Sequence, residues 1–276
     1  MPGTLTLIGT PIGNLSDFSP RAIEALQNCD FIAAEDTRVS LTLLNHFGVR
    51  KPLISYYEHN KRERGTVIAE KLENGENAVL VTDAGMPAVS DPGEDLVALC
   101  HDRGIPVTVI PGPSAAITAL AVSGLPSARF SFEGFLSANR RDRRAALENV
   151  KDEQRTMIFY EAPHKLVATL TDMLAAFGDR RICLARELTK LHEEIVRTTL
   201  SDALCRYEET APRGEFVVVV EGAAPPSAVP STPEDAAALA RLFLQEGMSA
   251  SDAAKKAAAE TGIKKGDIYR LLMKEN

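Results

Sequence analysis

Residues 78–93, AVLVTDAGMPAVSDPG, run from an apolar β-type segment directly into a turn rich in Gly and Pro. Two other stretches repeat the arrangement, TLTLIGTPIGN (4–14) and VTVIPGPSAA (107–116). Short apolar runs closed by Gly and Pro read as strands ending in tight turns. A parallel α/β sheet places its ligand beyond the carboxyl ends of its strands. Three compact, nearly side-chain-free turns at such ends predict one crevice where backbone meets a bound small molecule.

Outward from these turns the pattern alternates. Ser19-Pro20 supplies an N-cap and a first-turn proline for a helix through Leu26. Phe31–Ala34 reads as a second strand, 39–47 as a helix closed by Gly48, 53–57 as a third strand and 61–74 as a polar helix. Helix 92–102 lies between the strands at 78–82 and 106–110. This βα series predicts a doubly wound, mostly parallel sheet. After a helix at 114–123 the pattern changes. Strands are expected at 130–135, 157–160, 182–186 and 216–221, and helices at 140–151, 163–176 and 201–207. So little helix between the later strands predicts more antiparallel pairing. AAPPSAVPSTP (223–233) reads as a linker. Beyond it, helices from Thr232-Pro233, over Ser249–Thr261 and over Lys265–Lys274 form a helical tail with Gly262 at a turn. The expected layout is an α/β domain at 1–113, a second at 114–224, a linker at 225–232 and a tail at 233–276.

Bulk properties narrow the class. The chain has 276 residues, 45% of them hydrophobic and 25% charged, as in an ordinary soluble globular protein. No apolar run approaches the roughly 18 residues that span a bilayer. Met1-Pro2-Gly3-Thr4 leads straight into a strand without the charged start of a signal peptide. Cys29, Cys100, Cys183 and Cys205 are far apart, with no CxxC pair, and fit thiols in a reducing cytoplasm better than a zinc or disulfide set. No acidic–His cluster calls for a metal. The net charge of −7 argues against a generic nucleic-acid coat but permits a local basic patch.

GTPIGNL, AAEDTR, VTDAGMPAVSDPG, PGPSA, FEGFL, YEAPHK and ARELTK occur in that order between residues 9 and 190. Together they resemble the tetrapyrrole methylase family, the class III S-adenosylmethionine methyltransferases. AEDTR and TDAGMPAVSDPG look most like the branch that 2′-O-methylates the ribose of a cytidine in the decoding region of small-subunit (16S) ribosomal RNA. Corrin and porphyrin relatives carry a Gly-Asp-Pro turn, whereas this chain has Gly85-Met86-Pro87, which favours the RNA branch. The resemblance implies two α/β domains with the cofactor cleft between them, a homodimer, S-adenosylmethionine as cofactor, and 16S rRNA, within the small ribosomal subunit, as partner.

Gly9 and Gly13 allow a sharp turn and let amides approach a ligand that a Cβ would block. GxxxG alone would equally suit a plain strand–helix connection. The resemblance sets Thr10, Pro11, Ile12 and Gly13 at the crevice, with Asp83, Gly85, Met86 and Val89 against the cofactor. Asp83 could also be only a strand-end cap. Ser114 and Ala115 open a helix whose free amides can receive a carboxylate, although Ser114 could merely cap it. Phe135, Tyr160, Glu161, Ala185 and Arg186 flank the cofactor from the second domain by the same likeness, with Tyr160 as an ordinary core aromatic the competing reading. A ribose hydroxyl gains from a base. Glu35 and Asp36 are the candidates for base or base-orienter, and Arg38 for holding phosphate; a structural Asp36–Arg38 ion pair is the alternative. His59, Asn60 and His164 approach the same rim.

RNA contacts have two sources. Arg140, Arg141, Arg143 and Arg144 fall within five positions and suit phosphate, or else form a solvated helix start. The tail scans as a helix-turn-helix with Lys264 and Lys265 near its turn, yet its seven basic residues are matched by seven acidic ones over 231–276, so a packing cap competes. Methylation of a small acid or tetrapyrrole, and a non-catalytic RNA-binding module, remain open alternatives.

Overall fold

The computed structural model describes residues 1–224 and 232–274, so most of the expected linker, 225–231, lies outside the described residues. Residues Met1–Gly222 form one compact unit, containing both expected α/β segments, and Ala223–Asn276 a second.

The first sheet uses β1 (Leu5–Ile8), α1 (Pro20–Asn28), β2 (Phe31–Ala34), α2 (Thr37–His46), β3 (Leu53–Ser55), α3 (Lys61–Glu73), β4 (Ala78–Val81), α4 (Glu94–Asp102) and β5 (Val107–Ile110). Its order is β3-β2-β4-β1-β5 and every pairing is parallel. β2 and β4 are buried along their whole length. Alternate residues explain this: Phe31, Ala33, Ala78 and Leu80 join the core under α3 and α4, while Ile32, Ala34, Val79 and Val81 join that under α1 and α2. The Ser19 hydroxyl caps α1 through Ala22 N at 3.1 Å. Every carboxyl-end turn thus points to one rim.

α5 (Ala115–Ser123) leads into the second sheet, which comprises β6 (Phe130–Phe135), α6 (Arg140–Asn149), β7 (Thr156–Glu161), α7 (Pro163–Phe177), β8 (Arg181–Arg186), β9 (Glu194–Thr199), α8 (Leu200–Glu209) and β10 (Phe216–Val220). The order is β6-β7-β10-β8-β9, with β6 and β7 parallel and the other pairs antiparallel. β9, EIVRTT, was not among the expected strands. Its β-branched residues suit a half-buried edge, but Glu194 and Arg197 interrupt its apolar pattern and hide it in sequence. The buried run FVVVV of β10 is flanked by β7 and β8. Ala116, Ala119 and Leu120 of α5 pack against Ile158, Cys183, Val217 and Val219, so the helix opening at the PGPSA turn of the first sheet lies on the second.

The tail contains α9 (Pro233–Gln245), α10 (Ala250–Thr261) and α11 (Lys265–Lys274) around its own Ala-rich core, with Phe243, Ile268 and Leu272. Gly262, at φ 72°, ends α10 in the left-handed conformation that spares glycine a Cβ clash.

Candidate active site

The three turns are stitched together by backbone. Thr10 N donates to the Gly85 carbonyl at 2.8 Å and Gly85 N to the Thr10 carbonyl at 3.1 Å, while the Thr10 hydroxyl reaches the Thr82 carbonyl at 3.1 Å. Gly9 and Gly112 face one another: a Cβ on Gly112 would lie 2.5 Å from the Gly9 carbonyl oxygen, and one on Gly9 2.8 Å from Gly112 Cα. Gly9 therefore makes room for a neighbouring turn, not for a ligand, which corrects the expectation. Gly13 does the same across the cleft, since its Cβ would stand 2.5 Å from Lys190 Cγ and 3.0 Å from the Leu188 carbonyl oxygen.

Between these turns and the second sheet lies a cavity of about 320 Å³, at the small end of ligand pockets. Ile12, Asp83, Gly85, Met86, Val89, Ser114, Ala115, Phe135, Tyr160, Glu161 and Ala185 line it, as does Glu35. Thr10, Pro11, Gly13 and Arg186 do not. Thr10 is buried as the clip between turns, while on the same loop Pro11 is half-buried and Gly13 exposed. Arg186 points away, where its Nε meets Glu194 at 3.1 Å and it lines a separate depression with Arg206 and Arg213.

The Ser114 hydroxyl makes no cap hydrogen bond at α5. Instead Ala116 N donates to the Tyr160 hydroxyl at 3.2 Å, so an aromatic of the second sheet closes the helix start of the first. Burial pushes the Tyr160 phenol up, keeping it neutral. The Ala115 amide, in the first turn, has no intrahelical acceptor, and Ala115 lines the cavity. Phe135, largely exposed, stacks edge-on against Tyr160 at 5.3 Å. Glu161 is buried and already engaged by Lys165 at 2.9 Å, by Ala162 N at 2.8 Å and by the Thr169 hydroxyl.

Asp36 is outside the cavity lining. Its carboxylate caps α2 through Arg38 N at 2.8 Å and pairs with the Arg38 guanidinium at 2.6 Å. The Arg38 hydrogen bonds hold its pKa down at about 2, too acidic to take a proton near neutrality. This argues for the structural ion pair in the case of Asp36, while the Arg38 guanidinium remains largely exposed. Glu35 does face the cavity, accepting from the Thr82 hydroxyl at 2.6 Å. Asp83 accepts from Asp36 N at 3.1 Å, and burial pushes its pKa up. Asn60 braces the 57–60 turn by accepting from Tyr57 N, and His164 is exposed at the start of α7, off the cavity.

The sequence reading missed Asp91, Glu187, Lys190 and Glu215 on the wall. Asp91 falls within the quoted SDPG turn and Glu187 and Lys190 within ARELTK, so the motifs held the signal but not the direction of the side chains. Lys190 pairs with Glu187 at 2.9 Å and Glu215 at 2.8 Å. The four non-glycine residues with positive φ among the described residues, Ala88, Ser90, Glu187 and Thr189, all belong to these two lips. Such strain collects where a fold holds a site in a set shape.

Of the arginine run, Arg143 is buried against Asp172 at 2.7 Å, Arg144 meets the same carboxylate at 2.7 Å and Arg140 lies 3.7 Å away. This corrects the expectation for Arg143, which is buried; Arg140 and Arg144 approach the same carboxylate but stay half or more exposed, and Arg141 stands outside this network. In the tail Lys264 and Lys265 are both exposed, with Lys265 donating to the Ser251 hydroxyl at 2.9 Å.

The lining suits a cationic, nucleoside-bearing donor. Apolar Ile12, Met86, Val89 and Ala185 can face an adenosine, carboxylates at Glu35, Asp83 and Asp91 suit a positive centre, and the α5 start suits a carboxylate.

The model of the family described as Tetrapyrrole (Corrin/Porphyrin) Methylases matches residues 4–204, and that of the RsmI C-terminal HTH domain matches 230–276. The chain is 46% identical over 270 residues to Ribosomal RNA small subunit methyltransferase I of Synechocystis sp., covering 98% of this chain and 97% of that one. It is 43% identical to the protein of the same name from Escherichia coli O157:H7, covering 99% and 96%. Among solved structures, diphthine synthase aligns with a TM-score of 0.61 at 16% identity over 80% of this chain and 90% of that one. Uroporphyrin-III C-methyl transferase from Thermus thermophilus, complexed with S-adenyl homocysteine, aligns at 0.55 and 18% identity over 79% and 97%. These distant likenesses speak for the fold alone.

Proposed function

The chain belongs to the tetrapyrrole methylase family and, within it, to the ribosomal RNA small subunit methyltransferase I group, and from that premise we propose that it 2′-O-methylates a cytidine in the decoding region of 16S rRNA, using S-adenosylmethionine. The observation that carries the reading is the cavity itself, lined by apolar Ile12, Met86, Val89 and Ala185, by the carboxylates Glu35, Asp83 and Asp91, and by the start of α5. When bound, S-adenosylmethionine supplies an electrophilic methyl group on a sulfonium.

The chain's own residues position and shield. Ile12, Met86, Val89 and Ala185 wall the adenosine, the Ala115 amide receives the methionine carboxylate, and Glu35 and Asp83 face the cation. Tyr160, locked to Ala116, and Phe135 cover the site against water. Holding acceptor and donor in line accounts for most of the acceleration in such a displacement. We place the RNA grip on Arg141 and on Lys264 and Lys265 of the tail, with the assembled small subunit as substrate. We further place the protein in the cytoplasm as a homodimer. The edge strand β5 leaves Val109 52% exposed and α5 leaves Ile117 51% exposed, an apolar surface suited to a second copy and checked by light scattering. No helix among the described residues is long and apolar enough to cross a membrane.

Tritium transfer from labelled S-adenosylmethionine tests the reading. Label is expected in alkali-resistant ribose of the 16S rRNA of small subunits, in excess over naked RNA; label in neither sinks it. In the same assay, Lys264→Ala/Lys265→Ala is expected to flatten the salt dependence of RNA binding by about 0.7 log units per lost phosphate contact. An unaltered slope removes the tail from the RNA grip.

A further inference from the structure

A second cavity of about 570 Å³ lies beside the first, lined by Tyr57, Glu58, Ala88, Pro92 and Glu94. Glu35, Ser90 and Asp91 belong to both linings and so form the partition between the two. If the first cavity holds the methyl donor, the acceptor atom must meet the methyl at that partition. We propose that the second cavity seats the acceptor nucleoside, its base against Tyr57, and that Asp91 is the base that removes the proton from its 2′-hydroxyl. This rests on the methyl-transfer reading above and adds the acceptor site to it.

Tyr57 is 42% exposed on the turn after β3, an open aromatic face of the kind on which unpaired bases stack. Its position is set from below. Asn60 Oδ1 accepts from Tyr57 N at 2.8 Å, Asn60 Nδ2 donates to the Ser55 carbonyl at 3.1 Å, and His59 stands edge-on to the ring at 6.3 Å. Glu58 and Glu94 supply acceptors of the sort that meet an exocyclic amino group, as cytosine carries. Glu58 is aimed by Lys61 at 2.9 Å, itself held by Asp95 at 2.7 Å.

Of the two carboxylates in the partition, Glu35 already accepts from the Thr82 hydroxyl. Asp91 follows the strained Ala88–Ser90 turn, at φ 65° and 66°, and faces Glu35 and Asp83 of the first sheet and Tyr160 of the second, with no cation against it among the described residues. Burial first, then the charge of Glu35 and less so that of Asp83, push its pKa up to about 6, while the one Thr82 hydroxyl proton goes to Glu35. A base with that value is ionised at neutral pH and still able to hold a proton. In the step, the O2′–H bond breaks with its proton passing to Asp91. The oxygen's electron pair forms the bond to the methyl carbon, and the carbon–sulfur pair stays on sulfur, which leaves as a neutral thioether.

The test is single-turnover methylation of small subunits across pH, beside calorimetry with S-adenosylmethionine. Asp91→Asn is expected to slow turnover about 10²–10⁴-fold while donor affinity changes far less. Wild-type turnover is expected to fall as pH drops through about 6, because the ionised form takes the proton, and Asp91→Asn is expected to lack that limb. Tyr57→Ala is expected to raise KM for the subunit about 5–150-fold with kcat nearly held, and Tyr57→Phe to restore it. Undiminished turnover in Asp91→Asn overturns the assignment, as does an acid limb that survives there and vanishes in Glu35→Gln. Unchanged KM in Tyr57→Ala overturns the acceptor seat. Wild-type transfer is measured in the same assay, so a loss confined to the variants separates this inference from the reading beneath it.

Discussion

Asp172→Ala is expected to lower the stability of the 1–222 unit by about 3–5 kcal/mol, the cost of stranding a buried charge. The Asp172 and Arg143 side chains are 2% and 6% exposed, and Arg143 donates to Asp172 Oδ2 through Nε at 2.9 Å and Nη2 at 2.7 Å. Without the carboxylate, Arg143 keeps only long bonds, both 3.3 Å, to the Ser137 and Ala138 carbonyls. For a unit of this size the loss corresponds to about 6–20 °C in Tm. Arg144 is half exposed and can turn to water, so Arg144→Ala should cost far less. Replacing both buried partners by apolar residues, as in Arg143→Met/Asp172→Leu, should recover most of the loss. The pH dependence has a definite sign. Burial alone would raise the Asp172 pKa, but the hydrogen bonds from Arg144 and Arg143 win and lower it. Its contribution is therefore present above the ordinary aspartate value of about 3.9 and lost as pH falls through the lower folded value. Thermal melts between acid and neutral pH decide the matter; a melt of Asp172→Ala within a degree of wild type refutes it.

Gly112→Ala is expected to weaken S-adenosylmethionine binding about 5–150-fold, even where the protein still folds. The new Cβ would meet Gly9 oxygen at 2.5 Å and Gly9 Cα at 2.8 Å, all backbone, so the contact is relieved only by separating the turns after β1 and β5. Overpacking of this kind costs about 1–3 kcal/mol. Spent on the geometry between Ile12 and Ala115, it becomes that loss of affinity at 1.4 kcal/mol per tenfold. Gly104→Ala is the control for a mere glycine effect, since Gly104 has positive φ but nothing within 4 Å of its Cβ. Calorimetry that finds equal affinity in Gly112→Ala and wild type would show the apposed turns to be irrelevant to the cofactor.

The strands of the first sheet were legible because burial on both faces writes continuous apolar runs into FIAA and AVLV. The turns were legible because Gly and Pro mark them whatever lies around. β9 was not, being half buried, interrupted by Glu194 and Arg197 and defined by its partner β8. Asp36 shows the same limit in the site. Beside Glu35 in AEDTR it looks like an equal candidate, yet α2 starts at Thr37, which makes Asp36 a cap paired with Arg38, while Glu35 faces the cavity. The arginines of α6 read as a basic surface until α7 brings Asp172 against them.

By itself the sequence determined the order of elements, the three turns at one rim, the family and so the cofactor, because apolar period and turn residues are properties of neighbours along the chain. Only the tertiary structure decided which of those turns touch each other, which charges are paired and which carboxylates share the partition. Gly13 against Leu188, Arg143 against Asp172 and Asp91 beside Glu35 are contacts between distant residues, set by sheet register and helix packing that no local pattern specifies.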